Sequence, residues 1–264
     1  MGRVTERRKV TRFDAGRSVE RPDTLAVEEP LEIRVDGTPV SVTMRTPGHD
    51  LDLALGFLVT EGIVAKPSDV AGAINCADNV VDVSLRTPLP DLSPTRNFFT
   101  SSSCGMCGKA SIDAVRTTSA YDVSTDPLVV SAQVLTSLPD TLRAAQRVFD
   151  RTGGLHAAGL FDAQGQLLCL REDVGRHNAV DKVVGWAVQE SRLPLSGTVL
   201  QVSGRASFEL VQKAVMAGVP FLAAVSAPSS LAVELADEMG LTLVGFLRGE
   251  TFNVYTGGQR LTGH

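Results

Sequence analysis

Val199-Leu200-Gln201-Val202-Ser203-Gly204-Arg205-Ala206-Ser207 opens as a short apolar run and closes on a turn that leads into helical spacing. A second run, Phe221-Leu222-Ala223-Ala224-Val225, follows one helix length later. Short apolar runs without polar alternation fit strands buried on both faces. Such strands, alternating with amphipathic helices, predict a partly parallel sheet covered by helices on both faces, an α/β fold. Working outward, periodicity gives strands at 155–161, 166–171, 198–203, 219–225, 241–246 and 251–255, with helices at 176–190, 206–217 and 229–239. Another helix is read from about Pro139 to Arg151, with Leu142, Ala145, Val148 and Phe149 inward and Gly153-Gly154 as its C-cap.

Upstream, the pattern changes. Leu31, Ile33 and Val35 alternate, Asp36-Gly37 turns the chain, and Val40, Val42 and Met44 alternate again, which predicts a β-hairpin. A helix from His49 to Glu61 stops at Gly62, and strands follow near 70–76 and 79–86. A loop with Pro88, Pro90 and Pro94 then leads to a cysteine pair, and Tyr121 to Pro127 reads as a boundary. The organisation predicted is a flexible basic tail over 1–20, a small α+β domain over 21–125 carrying the cysteines, and an α/β domain over 126–264. Arg3, Arg7, Arg8, Lys9 and Arg12 make the tail basic; it reads as solvated, with a docking arm for an acidic partner as the alternative.

Composition excludes several classes. The chain has 264 residues, 43% hydrophobic and 21% charged, which is ordinary for a globular protein. A net charge of −5 argues against a general nucleic-acid binder. No stretch has the apolar length of a membrane span or signal-peptide core. Four cysteines without a disulfide framework point to a reducing compartment, so a cytoplasmic location is expected.

The chemistry concentrates at Ser101-Ser102-Ser103-Cys104-Gly105-Met106-Cys107-Gly108-Lys109. The spacing puts both thiols where a strand hands over to a helix. A helix N-terminus favours an anion, and such positions lower a cysteine pKa from about 8.5 to between roughly 3.5 and 7.5. Lys109 adds positive charge, and Gly105 and Gly108 let a partner come close. Three readings compete: a redox disulfide, a zinc site, and a thiolate that accepts sulfur as a persulfide. Spacing alone ranks the first two level and sulfur transfer behind. Cys76 and Cys169 are single and read as buried small hydrophobes.

Three corners suit an anion. They are Val202 to Ser207, with Ser203, Gly204 and Arg205; Glu172 to Asn178, with Arg176 and His177; and Phe246-Leu247-Arg248-Gly249-Glu250-Thr251. Each by itself fits a structural turn. Together they favour a nucleotide or pyrophosphate, because ligands of open α/β sheets sit beyond the carboxyl ends of strands and an Arg fork matches phosphate. His156 reads as a hydrogen-bonded core residue, and Asp173 and Asp181 lie near His177 in sequence. Neither histidine has metal-ligand spacing, so no intrinsic metal is expected.

Several blocks of the chain resemble a known family. Ser102 to Ala110, Thr152-Gly153-Gly154-Leu155-His156-Ala157-Ala158, Val202-Ser203-Gly204-Arg205 and Arg171-Glu172-Asp173-Val174-Gly175-Arg176-His177-Asn178-Ala179-Val180-Asp181-Lys182 are similar to the FdhD family of formate dehydrogenase accessory sulfurtransferases. The long block is specific; the cysteine motif alone is not. The resemblance implies a sulfurtransferase that takes sulfur from a cysteine desulfurase as a persulfide. It would hand that sulfur to the molybdenum (or tungsten) bis(molybdopterin guanine dinucleotide) cofactor, a bound substrate, for the formate dehydrogenase catalytic subunit. On matching positions it makes Cys104 the persulfide cysteine, Cys107 its partner in relay or resolution, and Phe246 to Thr251 part of the cofactor site. It further implies a cytidine deaminase-like three-layer α/β/α domain with a smaller N-terminal roll, and a homodimer. A zinc deaminase would need His-x-Glu before Pro-Cys-x-x-Cys, whereas His156-Ala157-Ala158 lacks the glutamate and follows the cysteines, and Ser103 precedes Cys104. A cofactor chaperone without sulfur chemistry and a dithiol oxidoreductase are the other readings.

Overall fold

The structure, a computed structural model, describes residues 3–87, 115 and 119–263. Thr5–Asp14 and Arg17–Ala26 pair along their whole length as antiparallel strands β1 and β2, joined at Ala15-Gly16 with φ angles of 46° and 82°. Positive φ at both central residues matches the twist of a tight hairpin. The basic stretch expected as a flexible tail is therefore largely strand. It escapes periodicity because the hairpin is largely solvent-exposed, so no buried face imposes alternation.

The predicted second hairpin is present as β3 (Glu29–Val35) and β4 (Thr38–Arg45), with Leu31, Ile33 and Val35 fully buried. Helix α1 (Asp50–Thr60) and strands β5 (Val70–Ala77) and β6 (Val80–Leu85) follow. The sheet order is β4-β3-β6-β5, and α1 shares its apolar core.

Strand β7 (Val130–Ser131) precedes helix α2 (Ala132–Ala145), and α3 (Arg147–Thr152) comes after a break at Gln146. The single helix expected from Pro139 to Arg151 is corrected on both counts. Ser131 caps α2 by accepting from the Val134 N–H at 3.2 Å, which places Pro139 inside the helix instead of at its start. Glu172 holds the first turn of α3, accepting from the N–H groups of Val148 at 3.0 Å and Phe149 at 2.8 Å.

Beyond these lie β8 (His156–Phe161), β9 (Leu167–Asp173), α4 (Arg176–Gln189), β10 (Val199–Val202), α5 (Phe208–Met216), β11 (Phe221–Ala224), α6 (Ser230–Glu238), β12 (Thr242–Arg248), β13 (Thr251–Thr256) and β14 (Leu261–Thr262). The sheet runs β13-β12-β11-β10-β8-β9, with β10, β11 and β12 parallel and the other neighbours antiparallel, while β14 pairs with β7. Alternate residues feed two cores. Leu160, Leu200, Leu222 and Leu243 join α4, α5 and α6, whereas Phe161, Val199, Phe221 and Val244 meet Leu135, Leu138 and Leu142 of α2. This is a mixed α/β fold with helices on both faces of its larger sheet.

The two sheets are tied through one helix pair. A Cβ on Gly56 would lie 1.7 Å from the Asp181 carbonyl oxygen, and one on Gly185 would lie 1.7 Å from that of Asp52, so α1 and α4 cross at backbone contact. Charges are buried around the crossing. Asp181 accepts from Lys213 at 2.9 Å and from the Thr60 hydroxyl at 2.8 Å, Lys182 meets Asp173 at 2.6 Å, and Arg171 meets Asp52 at 2.7 Å. Val115 joins the same apolar core.

Candidate cofactor-binding site

Parallel strands deliver their carboxyl ends, and the helices after them their N-termini, to one edge. The Val225 N–H donates to the Val202 carbonyl at 3.2 Å, the Ser226 N–H to that of Gly204 at 3.3 Å, and the Phe246 N–H to that of Ser226 at 3.2 Å. Arg248 donates from Nε to the Val225 carbonyl at 2.8 Å. The corners at 203–207 and 246–251 are thus joined by Val225-Ser226-Ala227-Pro228-Ser229, a segment outside the three corners expected from the sequence. Its signal was available: serines and a proline directly after an apolar strand.

Two cavities lie along this edge. The smaller, of about 230 Å³, is lined by Arg176, Arg205, Ser207 and Ser229 together with Ala206, Ala227 and Pro228. Arg176 Nε is buried and has no hydrogen-bond partner among the described residues. Ser207 and Ser229 begin α5 and α6, so two helix N-termini and two guanidinium groups bound a space suited to an anion. Ser229 spends its own Oγ capping α6, accepting from the Ala232 N–H at 3.3 Å.

The larger cavity, of about 620 Å³, takes Ser203, His156, Leu247, Arg248 and Gly249 on one side and residues of α2 and α3 on the other. Leu142, Phe149, Leu155 and Leu247 give it apolar walls, and the Arg143 guanidinium stacks 4.8 Å from the Phe149 ring centre. Ser203 Oγ accepts from the Ala157 N–H at 2.9 Å, fixing the turn between the two cavities. His156 is half-buried; burial, with the Arg176 charge nearby, lowers its pKa. It faces this cavity instead of sitting in the core as a hydrogen-bonded residue.

The corner at 172–178 splits. Adjacent residues on a helix point about 100° apart, so Arg176 and His177 face different spaces. His177 lines a recess of about 360 Å³ between β4, α4 and α5, 3.4 Å from Ser207 Oγ and 3.9 Å from Glu209 Oε2. Burial, then the charges of Arg176 and Lys213, push its pKa down to about 4. Asp173 and Asp181, its neighbours in sequence, instead hold Lys182 and Lys213. At the third corner Phe246 is exposed with φ of 53°, next to an irregularity in the β12–β13 pairing. Glu250 sits in the exposed turn and Thr251 opens β13, its hydroxyl donating to the Arg248 carbonyl at 3.3 Å.

A family comparison matches residues 26–262 to the FdhD/NarQ family. The chain belongs to the FdhD/NarQ family. Similar relatives are named "Sulfur carrier protein FdhD". That of Streptomyces avermitilis is 61% identical, covering 99% of this chain and 97% of its own. That of Mycolicibacterium paratuberculosis is 60% identical over 98% and 99%. The protein of the same name from Sulfolobus acidocaldarius is 45% identical over 96% and 97%. A crystal structure described as a formate dehydrogenase accessory protein from Desulfotalea psychrophila shares the fold, with a TM-score of 0.80 at 23% identity, covering 98% of this chain and all of that one.

Within this FdhD/NarQ member, Cys104 and Cys107 lie outside the described residues. Cys169 is buried and its thiol is pushed up to about 12 by burial, while Cys76 is exposed on β5, against the expectation that both single cysteines are core residues. Among the described residues no group of three or more His, Cys, Asp or Glu could hold a metal, and no helix is long and apolar enough to cross a membrane.

Proposed function

We propose that this chain is a sulfur carrier for formate dehydrogenase maturation, with Cys104 as the carrying thiol. The reading is carried by one juxtaposition in an FdhD/NarQ member: an arginine-lined cavity adjoins a larger apolar-walled one across Ser203-Gly204-Arg205. A guanine nucleotide fits that division, its pyrophosphate against Arg176, Arg205 and the helix N-termini and its base against the walls from Leu142, Phe149 and Leu247. Arg248 and His156 stand at the mouth of the larger space. The cargo is bis(molybdopterin guanine dinucleotide) carrying molybdenum or tungsten, held as substrate. The name that the relatives carry, sulfur carrier protein, favours sulfur chemistry over a chaperone that only shelters the cofactor.

The chemistry balances on the two thiols. The Cys104 thiolate attacks the outer sulfur of a cysteine desulfurase persulfide; that S–S bond breaks and the desulfurase leaves as thiolate. The Cys107 thiolate then attacks Cys104 Sγ, expels hydrosulfide to the cofactor metal and leaves a Cys104–Cys107 disulfide, which a cellular dithiol reduces. The partners are thus a cysteine desulfurase and the formate dehydrogenase catalytic subunit, in the cytoplasm, with the carrier as a homodimer. The layered larger unit supports a cytidine deaminase-like assignment, with residues around β3–β6 as the smaller roll.

The test is intact mass after incubation with desulfurase and cysteine. A gain of one sulfur, removed by thiol reductant and absent in Cys104→Ala, is the expected result. No gain, or a gain that survives in Cys104→Ala, overturns it. If both cysteines can become alanine while formate dehydrogenase stays active in cells, the chaperone reading replaces it.

A further inference from the structure

At the root of the N-terminal hairpin, Arg3 before β1, Arg7 on β1 and Arg151 at the end of α3 line one recess of about 560 Å³ with Val4, Thr5 and Thr24. Among the described residues no carboxylate lines it and none of the three guanidiniums is in an ion pair; Arg8 and Lys9 nearby take Glu6 and Glu20 instead. Arg151 is oriented by donating from Nη2 to Thr5 Oγ1 at 2.9 Å, which couples the helix end to the strand. That fixes one member of the trio across two elements. Three like charges around one open space repel, and a ligand that answers all three relieves the repulsion.

The chemistry of the lining selects the ligand. A single carboxylate would leave two guanidiniums uncompensated. A phosphate ester carries about −1.5 to −2 at pH 7 and bonds an Arg fork through two oxygens. Two linked phosphates approach the charge of the trio. The recess is separate from the cofactor cavities: α3 stands between, with Phe149 turned to the larger cavity and Arg151 to this one. We propose that Arg3, Arg7 and Arg151 form a second oxyanion site, which takes the diphosphate of a small molecule. The site stands whether or not Cys104 carries sulfur.

The experiment is calorimetric titration of the full chain with inorganic pyrophosphate at low salt, in parallel with guanosine diphosphate. Two pyrophosphates per chain are expected, one lost in Arg205→Gln and the other weakened about tenfold or more in Arg7→Gln and in Arg151→Gln. Arg7→Gln breaks no hydrogen bond between the hairpin and α3, so it separates binding from folding. If guanosine diphosphate also fills both sites, the ligand is a nucleotide; if only pyrophosphate fills the second, it is the free anion, and both results support the site. A single pyrophosphate weakened by Arg7→Gln and not by Arg205→Gln supports this site and counts against the smaller cavity instead. No bound pyrophosphate, or binding that Arg7→Gln and Arg151→Gln both leave unchanged, overturns the proposal. So does a recess that binds poly-glutamate and ignores pyrophosphate, which would make it a docking point for an acidic protein.

Discussion

Gly56→Ala sets two effects of opposite sign against each other. In a helix interior alanine is favoured over glycine by about 0.8–1 kcal/mol, so propensity alone predicts a more stable protein. Packing predicts the reverse. The added Cβ would stand 1.7 Å from the Asp181 carbonyl oxygen, 2.6 Å from its carbon and 2.8 Å from the Gly185 nitrogen. Contacts below 3.0 Å do not occur in practice, so α1 and α4 must part by at least 1.3 Å, the difference between 3.0 and 1.7 Å. The obstacle is backbone on a helix packed against the larger sheet, so no side chain can swing away.

A radial gap of roughly 0.5–1 Å forfeits a quarter to a half of each dispersion contact, and here the gap opens along Leu53, Phe57, Val180 and Val184. The Thr60–Asp181–Lys213 bonds stretch with it. Overpacking of cores costs about 1–3 kcal/mol and occasionally more. With backbone as the obstacle and buried bonds strained, the upper end applies, and the net loss after propensity is about 2 kcal/mol. At about 2–4 °C per kcal/mol for a chain of this size, the melting midpoint falls by roughly 4–8 °C. Urea unfolding checks the free energy and a thermal scan the midpoint. Gly185→Ala meets Asp52 in the same way, and because either change opens the same gap, the double variant should lose less than the sum. A Gly56→Ala protein as stable as wild type or more so refutes the crossing geometry.

Two further predictions concern the recess and the cavities. His177 titrates at about 4 in the folded chain, against an ordinary 6.5, so between those values the unfolded chain binds more protons and stability rises with pH. Its share, present above pH 6.5 and lost as pH falls towards 4, is about 3 kcal/mol; urea unfolding at pH 4.5, 5.5 and 7 should show that slope reduced in His177→Gln, and an unchanged slope counts against its burial. Millimolar guanosine diphosphate should raise the melting midpoint of the wild type, and Arg205→Gln or Arg176→Gln should weaken that binding at least tenfold; equal shifts in all three proteins would remove the pyrophosphate from the smaller cavity.

What was legible in the sequence follows burial. Val199–Val202, Phe221–Ala224 and Leu31 to Val35 read correctly because a buried strand must show its period. The β1–β2 hairpin did not, since a ribbon wet on both sides has no period to show. Pro139 misled because proline favours a helix start, yet the Ser131 cap eight positions earlier outweighed it. Arg176 and His177 were read as one corner, yet the 100° step between them leaves Arg176 on the smaller cavity and His177 on the recess beside β4. The wall from α2 and α3 was invisible for another reason: it meets Leu247 and Arg248 only through the sheet, a contact with no local signature.

The 171–182 block contains the corner read at 172–178 as suited to an anion, but most of it holds the site up from behind. Arg171 is spent on Asp52, Glu172 on α3, Asp181 on Lys213 and Asn178 on the Met44 carbonyl at 2.7 Å. Buried ion pairs add little net stability, because desolvation cancels much of their attraction, yet they punish misalignment heavily. Asp173 shows what the alignment serves. Its carboxylate accepts from the Gly175 N–H at 2.8 Å and Asn178 Nδ2 at 3.0 Å, which pins the first turn of α4 and so the base of Arg176. An unbalanced carboxylate there would repel the anion proposed to meet Arg176. Lys182, at 2.6 Å and as deeply buried, cancels that charge, and the positive field of Arg176 and Arg205 is left to face the cavity.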